Sequence, residues 1–517
     1  MADEEKFSKY LRKATAELRQ TRGRLAAEEA RNREPVAIIG IGCRFPGGVR
    51  SPEDLWRLVD RGADVTTELP RNRGWNLAGA RPDLRGGFLH DADRFDAEFF
   101  GMDEAEALAT DPQQRLLLET SWEAFERAGI DPASARETRT AVYAGLQFGG
   151  YPLLLREPPG PGVQDHVGFG NSGGAGAGRI AYLMGLVGAA VSVDTQCTSS
   201  LVAIHLACKA LRAHECTLAL AGGAAVMSIP TLLMEFRRTG RLSSDGRSKS
   251  FAAAADGASL AEGAGMLLLE RLSDARRNRH PVLAVIRGTA LNQDGATNGM
   301  SAPRGTAQQR VMRQALADAR VPASSVDVVE GHGVGATLGD GVEATSVLTV
   351  YGSEHSREQP VLLGSVKSNI GHTQTVGALA GITKLVMALR HERVPATLHV
   401  DAPTPHADWS SGTVELLTEA RSWPAGERVR RAAVSCLTLS GTNAHLILEE
   451  PPAEDGDQTG GTQPGPRPST GAVAWPLSAK SVAALREQAR RVCEVAADAD
   501  PLEVSAALVR GRSSFRQ

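Results

Sequence analysis

The chain of 517 residues has no run of 18 apolar residues. Its start, Met1-Ala2-Asp3-Glu4-Glu5-Lys6, is too charged for the apolar region of a signal peptide. Neither a membrane span nor secretion is therefore expected. Charge of one sign is also missing. The 57 Lys and Arg against 60 Asp and Glu leave a formal net charge of −3, which argues against a nucleic-acid or membrane-surface partner. The six cysteines are scattered and none is spaced CxxC. That pattern excludes a paired zinc motif and a disulfide scaffold, and fits free thiols in a reducing cytoplasm. What remains is a globular composition, long enough for a large core or more than one domain.

What is present is organised around Val193-Asp194-Thr195-Gln196-Cys197-Thr198-Ser199-Ser200-Leu201. The apolar run 186–193 before it reads as a buried strand, and Leu201-Val202-Ala203-Ile204-His205-Leu206-Ala207 after it reads as a helix. Cys197 thus sits where a strand turns into a helix, with the positive end of a helix dipole favouring its thiolate. Two readings stand here: a nucleophile, or a small buried hydrophobe. Two later stretches bear on the choice. Glu330-Gly331-His332-Gly333-Val334-Gly335-Ala336 and Gly364-Ser365-Val366-Lys367-Ser368-Asn369-Ile370-Gly371-His372 each place a His beside glycine after a strand-like run. One Cys and two imidazoles suit thioester chemistry: the thiolate takes an acyl group and the imidazoles move protons or stabilise an enolate.

These stretches, with Pro35-Val36-Ala37-Ile38-Ile39-Gly40-Ile41-Gly42-Cys43-Arg44-Phe45-Pro46-Gly47-Gly48, Asp111-Pro112-Gln113-Gln114-Arg115-Leu116 and Ser440-Gly441-Thr442-Asn443-Ala444-His445, resemble the ketosynthase domain of modular polyketide synthases. That family belongs to the thiolase-like condensing enzymes, and the likeness runs over residues 34–450. The alternation of strand-like runs with helical stretches such as 307–319 and 377–389 is itself an α/β pattern. The resemblance sharpens it to a duplicated thiolase-like fold in five α-β-α-β-α layers, in a homodimer. By resemblance, Cys197 is the nucleophile, and its N–H with that of Leu439 forms the oxyanion hole. His332 and His372 handle decarboxylation and the enolate, and Lys367 sets the electrostatics. Glu343 supports them, while Asp256 and Glu262 are buried polar residues with a structural role first. No metal and no bound cofactor are implied. Substrate would arrive on the phosphopantetheine arm of a carrier protein.

Departures from the family cluster around the pocket. Gln196 stands where Ala is usual, and Leu260 where an aromatic is usual. Val334 and Ala336 replace two threonines. Ser435-Cys436-Leu437-Thr438 replaces Ser-Ser-Phe-Gly, which adds Leu437 and Thr438 to the altered pocket residues. By resemblance, each lost hydroxyl would weaken hydrogen bonding to an extender arm or its carboxylate by roughly 0.5–1.5 kcal/mol. The two readings are altered chemistry, which several changes at separate motifs favour, and neutral drift.

Residues 1–33 read as a separate helix, with Leu11, Leu18 and Leu25 every seven residues. By resemblance it is a docking coiled coil that captures an upstream carrier-bearing protein. It is marginal alone and needs a dimeric body beneath it. Residues 451–517 open with a Pro/Gly/Thr-rich linker, 451–471. A strand-like Val473-Ala474-Trp475-Pro476-Leu477 and a helix over 481–497 follow, like the start of a ketosynthase-to-acyltransferase linker. Gly168-Phe169-Gly170-Asn171-Ser172-Gly173 fits GxGxxG, and Gly170-Asn171-Ser172-Gly173-Gly174 fits GxSxG. Neither follows a strand, so both are read as a Gly-rich loop.

Two classes of function are expected. One is an active condensing or cyclising enzyme; the other is a non-catalytic acyl-transfer module. The retained Cys197, His332 and His372 favour the first. The chain brings neither an acyltransferase nor a carrier segment. The preferred expectation is therefore a standalone ketosynthase-like bicyclase, which closes a chain by intramolecular aldol and lactone-forming release. Ordinary decarboxylative Claisen extension is the alternative.

Overall fold

The computed structural model describes residues 2–31, 33–75, 84–155, 157, 160–299, 301–453, 472–497 and 499–515. For helix residues 2–5, 8, 12, 24–31 and 495 it describes the backbone only.

Among the described residues, eleven strands form one sheet. They are β1 (Val36–Arg44), β2 (Thr140–Gly145), β3 (Ala190–Val193), β4 (Leu218–Ala225), β5 (Gly263–Arg271), β6 (Ala284–Gln293), β7 (Val328–Glu330), β8 (Val361–Gly364), β9 (Val414–Leu416), β10 (Arg431–Leu437) and β11 (Thr442–Glu449). The order across the sheet is β9-β8-β7-β10-β11-β6-β1-β5-β4-β2-β3. Read outward from the centre, one half runs β1-β5-β4-β2-β3 and the other β6-β11-β10-β7-β8, with β9 added at the rim. In both, the first three strands pair antiparallel and the remaining pairs are parallel. The duplication implied by the resemblance is thus written in the strand order. The halves join where Val36, Ala37 and Ile38 pair antiparallel with Ile286, Val285 and Ala284.

Alternation along the strands builds the layers. Val36, Ile38, Ala141, Tyr143, Leu267 and Leu269 face a central core shared with Val328, Val434, Leu446 and Leu448 of the other half. Ala37, Ile39, Val142, Ala144, Leu220 and Leu268 face an outer core. Val329, Ala433 and Ile447 face the opposite one. Strands buried on both faces read as unbroken apolar runs, as these do. Between the halves lie two helices, α2 (Ser199–Arg212) and α4 (Gly377–Arg390), the latter buried from Gly377 to Leu389. The outer helix α1 (Pro112–Arg127) covers the first half, and α3 (Gly305–Ala319) the second.

Two expectations need correction. The run 186–193 is a strand only over Ala190–Val193, and that strand is exposed to half-buried rather than buried. It is the last strand of the sheet, so only one of its edges is paired. Residues 473–477 form no strand: Pro476 lacks an N–H and no neighbouring strand accepts the segment. It lies as an extended strap, with Trp475 Nε1 donating to Pro501 O at 3.0 Å. The helix after it, Val482–Val495, is capped by Ser481 Oγ accepting from Ala484 N–H. The end of the chain returns to α1, where Phe515 packs against Phe99 and Trp122. Linker residues 454–471 lie outside the described residues. The N-terminal helix, Ala2–Arg31, leaves Leu11 and Leu18 exposed; the side chain of Leu25 lies outside the described ones.

Helix α1 lies directly on the backbone of β1. A Cβ at Gly40 would run into the carbonyl oxygen of Ala124, and one at Gly42 into that of Thr120. Residues two apart on a strand here match residues four apart on a helix, because both spacings keep to one face. Gly40→Ala or Gly42→Ala must push helix and sheet apart. Either is expected to cost about 1–3 kcal/mol or more, read as a lower denaturation midpoint. An unchanged midpoint would show that the two elements can separate freely.

Candidate active site

Cys197 lies in the short 3-10 turn Gln196–Thr198 between β3 and α2. Gln196 holds a left-handed backbone, φ 56°, which costs a side-chain-bearing residue about 1–2 kcal/mol. Local hydrogen bonds hold the turn. Gln196 N–H donates to Asp194 Oδ1 at 3.0 Å, Thr195 N–H to Ser199 Oγ at 3.0 Å, and Ser199 Oγ–H to Gln196 O at 2.6 Å. The strand–turn–helix placement expected for Cys197 is what the chain adopts, and the thiol is half-buried.

The two histidines converge on it from the other half. His372 Nε2 is 3.1 Å from Cys197 Sγ. Its backbone is pinned to the segment 259–261: His372 N–H donates to Ser259 O at 2.7 Å and Ala261 N–H to His372 O at 2.8 Å. Leu260 is therefore aligned with His372 through the main chain, while its side chain is buried with Leu84, Phe88, Met227 and Leu233. His332 stands nearly perpendicular to His372, with ring centroids 5.2 Å apart. Glu343 accepts from His332 N–H at 2.6 Å and Gly333 N–H at 2.9 Å. Asp340 accepts from Gly335 N–H at 3.0 Å, Ala336 N–H at 3.2 Å and Phe251 N–H at 2.9 Å. The loop after His332 is thus held through its own backbone by two buried carboxylates. Lys367 is buried and has no ion pair among the described residues. Cys436 Sγ–H donates to Cys197 O at 3.0 Å and lies 3.9 Å from His332 Nδ1.

Burial dominates the electrostatics. It pushes the Cys197 thiol up to about 11, against the Lys367 ammonium and the residue's own backbone N–H, which pull it down. Burial and then Lys367 press His372 down to about 3, and His332 well below the usual imidazole range. Near neutral pH the site holds a thiol and neutral imidazoles, an arrangement in which an imidazole can take the thiol proton as the sulfur attacks. Burial lifts Glu343 to about 7 and Asp340 to about 6, against the backbone N–H groups they accept.

The structure brings Cys197, His332, His372, Lys367 and Glu343 together. Leu439 is on the turn following β10, three residues past Cys436, and its side chain is exposed. Val334, Ala336 and Leu437 are half-buried, and Gln196 is exposed. Thr438 Oγ1 is used within its own turn, accepting from Thr442 N–H at 3.0 Å. Asp256 and Glu262 lie apart from the cluster. Glu262 is buried, but the expected burial of Asp256 needs correction, since it is exposed in a surface turn with Ser244 and Lys249. Asp256 pairs with Lys249 at 2.6 Å. Glu262 pairs with Arg73 and accepts from Leu89 N–H at 2.9 Å and Met227 N–H at 2.8 Å. Both tie loops together. Sequence reasoning missed Asp340, whose signal was an acid in the first turn of the helix Thr337–Val350. Among the described residues no three His, Cys, Asp or Glu side chains converge as metal ligands, and no described helix is long and apolar enough to cross a membrane.

The chain is similar to known proteins over nearly all its length. Residues 33–275 match the N-terminal domain of β-ketoacyl synthases, 283–401 their C-terminal domain, 403–514 the ketoacyl-synthetase C-terminal extension, and 2–30 the erythronolide synthase docking domain. Polyketide synthase GfsB of Streptomyces halstedii is 55% identical over 95% of this chain, and the pikromycin polyketide synthase component PikAII of Streptomyces venezuelae is 53% identical over 99%. The chain spans only 9% and 14% of those proteins. The solved ketosynthase from module 6 of the bacillaene synthase of Bacillus subtilis 168 is 32% identical with a TM-score of 0.82, covering 93% of this chain and 81% of that one. An oxazolomycin ketosynthase domain of Streptomyces albus JA3453 gives 32% and 0.80, covering 93% and 85%.

Lys367 is the nearby cation that draws the thiol pKa down. Lys367→Met is therefore expected to raise it further and to slow alkylation of Cys197 by iodoacetamide at pH 8, followed by peptide mapping. In the unsubstituted protein the rate should climb from pH 7 to pH 10 with no acid plateau, because the thiol titrates near 11. Equal rates in the two proteins would remove Lys367 from the thiol's electrostatics.

Proposed function

The chain belongs to the ketosynthases of modular polyketide synthases, condensing enzymes of the β-ketoacyl synthase type, and from that premise we propose that it cyclises and releases an acyl chain rather than extending one. The sulfur of Cys197 attacks a carrier-bound thioester while His372 Nε2 accepts its proton. The N–H groups of Cys197 and Leu439 receive the charge of the tetrahedral intermediate. The pantetheine thiol then leaves with the proton. In the acyl-enzyme a neutral imidazole, His332 or His372, removes a proton from a carbon of the chain itself. The enolate attacks an internal carbonyl and forms the ring bond. The new alkoxide attacks the thioester carbonyl, expelling the Cys197 thiolate as a lactone closes, and the imidazolium returns its proton to sulfur.

One observation carries the preference for cyclisation. The loop that would meet an extender's carboxylate, His332-Gly333-Val334-Gly335-Ala336, has no side-chain hydroxyl, and its backbone N–H groups at 332, 333, 335 and 336 are already donated to Glu343 and Asp340. It offers little to hold a malonyl-type carboxylate for decarboxylation, while the thiol and both imidazoles stay. Two substrates tested side by side decide the matter: a malonyl-type carrier thioester, and an acyl thioester bearing a nucleophilic carbon and an internal carbonyl. The expected products are a released ring and little carbon dioxide. Rapid carbon dioxide release with a longer, carrier-bound β-keto product and no ring would make this an ordinary extending ketosynthase.

Two exposed surfaces support a reading of the partners. Strand β3 leaves one edge unpaired, beside exposed Tyr182, Val187 and Val191; that edge suits a second copy of the chain. The N-terminal helix, with Leu11 and Leu18 exposed, suits pairing in that dimer and capture of an upstream carrier protein. Sedimentation of the full chain and of one lacking residues 1–32 should give dimers for both. The shortened chain should keep turnover of a small soluble thioester and lose turnover of the carrier-bound one, since docking raises effective concentration. A monomeric full chain, or equal loss on both substrates, would overturn this assignment.

A further inference from the structure

Strands β7 and β8 end side by side against β10, where Glu330 of β7 pairs with Gly364 of β8 on one side and with Val434 of β10, which runs on to Leu437, on the other. His332 follows Glu330 by two residues, Lys367 follows Gly364 by three, and Cys436 follows Val434 by two. The Glu330 side chain sits at this row almost wholly buried, 2% exposed, and its carboxylate makes two contacts. Oε2 takes the ammonium of Lys384 at 2.8 Å, itself 1% exposed. Oε1 accepts from Val366 N–H at 2.6 Å, one residue before Lys367.

Lys384 belongs to α4, and the other end of that helix borders the site. A Cβ at Gly377 would lie 3.4 Å from His372 Nδ1 and 3.5 Å from Lys367 Cε. Glu330 therefore ties the strand leading to His332, the turn leading to Lys367 and the helix whose first residue abuts His372. A buried ion pair adds little net stability over an apolar pair of the same shape, because desolvation offsets the attraction. Its directional bonds do restrict how the three segments can shift along one another.

We propose that Glu330, paired with Lys384, is a positioning residue that sets the mutual placement of His332, Lys367 and His372. It touches no reacting atom. The inference rests on the catalytic reading of those three residues given above.

Two perturbations test it. Glu330→Gln with Lys384→Met removes both charges while nearly keeping shape. Gly381→Ala keeps both charges and displaces the carboxylate, since a Cβ there would lie 2.7 Å from Glu330 Cγ. Alanine is otherwise the better helix residue. Both proteins are expected to fold, by circular dichroism and thermal unfolding. Both should lose kcat by roughly tenfold or more, as small misplacements do, while KM for the acyl thioester changes little. The pH dependence of Cys197 alkylation should also move. Wild-type kcat and pH profile in either folded variant overturn the proposal. Failure of both proteins to fold would assign the pair to folding alone and overturn it equally. His332→Ala, run alongside, separates the two readings: its activity is lost if the catalytic reading holds, whatever the clamp variants do.

Discussion

The row Val434–Glu330–Gly364 is the constraint on which the site depends. Backbone pairing across three strands sets where β7 and β8 leave the sheet, just before one imidazole and the lysine, while the second thiol, Cys436, stays within β10, paired with Ala444. Their side chains meet Cys197 because α2 and α4 are packed together between the two halves. A one-residue slip of β7 would displace His332, and one of β8 would displace Lys367, because each follows its strand by two or three residues. The precision of the site is thus a property of sheet register more than of any loop.

The duplicated topology explains why the thiol and the imidazoles come from different halves. Cys197 follows the third strand of the first half, and His372 follows the third strand of the second. Beyond these strands the chain enters the central helices, Cys197 just before α2 and His372 just before α4. Joining the halves through β1 and β6 brings the two ends face to face, within the 3.1 Å of the Cys197–His372 contact.

Burial then determines the chemistry. It disfavours charge on the thiol and on both rings, with Lys367 as the local cation that helps the sulfur and opposes protonation of the rings. A thiol beside a neutral imidazole can exchange a proton with it during attack. The adjoining loop is held through its backbone by Glu343 and Asp340, so its shape does not depend on the side chains at 334 and 336. That frees those positions to vary while His332 stays in place.

Much of this was legible in the chain. The strand–turn–helix around Cys197, the helices over 307–319 and 377–389, and the two His stretches are local patterns, and local patterns survive in one dimension. The ketosynthase motifs named the residues that the fold gathers. Pairing over long separations was not legible: the repeated strand order, the Glu330–Lys384 pair and the Arg73–Glu262 pair join residues whose spacing carries no periodic signal. Nor was exposure at an edge, and so 186–193 read as buried. The sequence by itself determined which groups could react, because a thiol and two imidazoles are chemical identities. Only the tertiary structure decided which of them meet and which protons they hold, because distance and desolvation arise when remote segments pack.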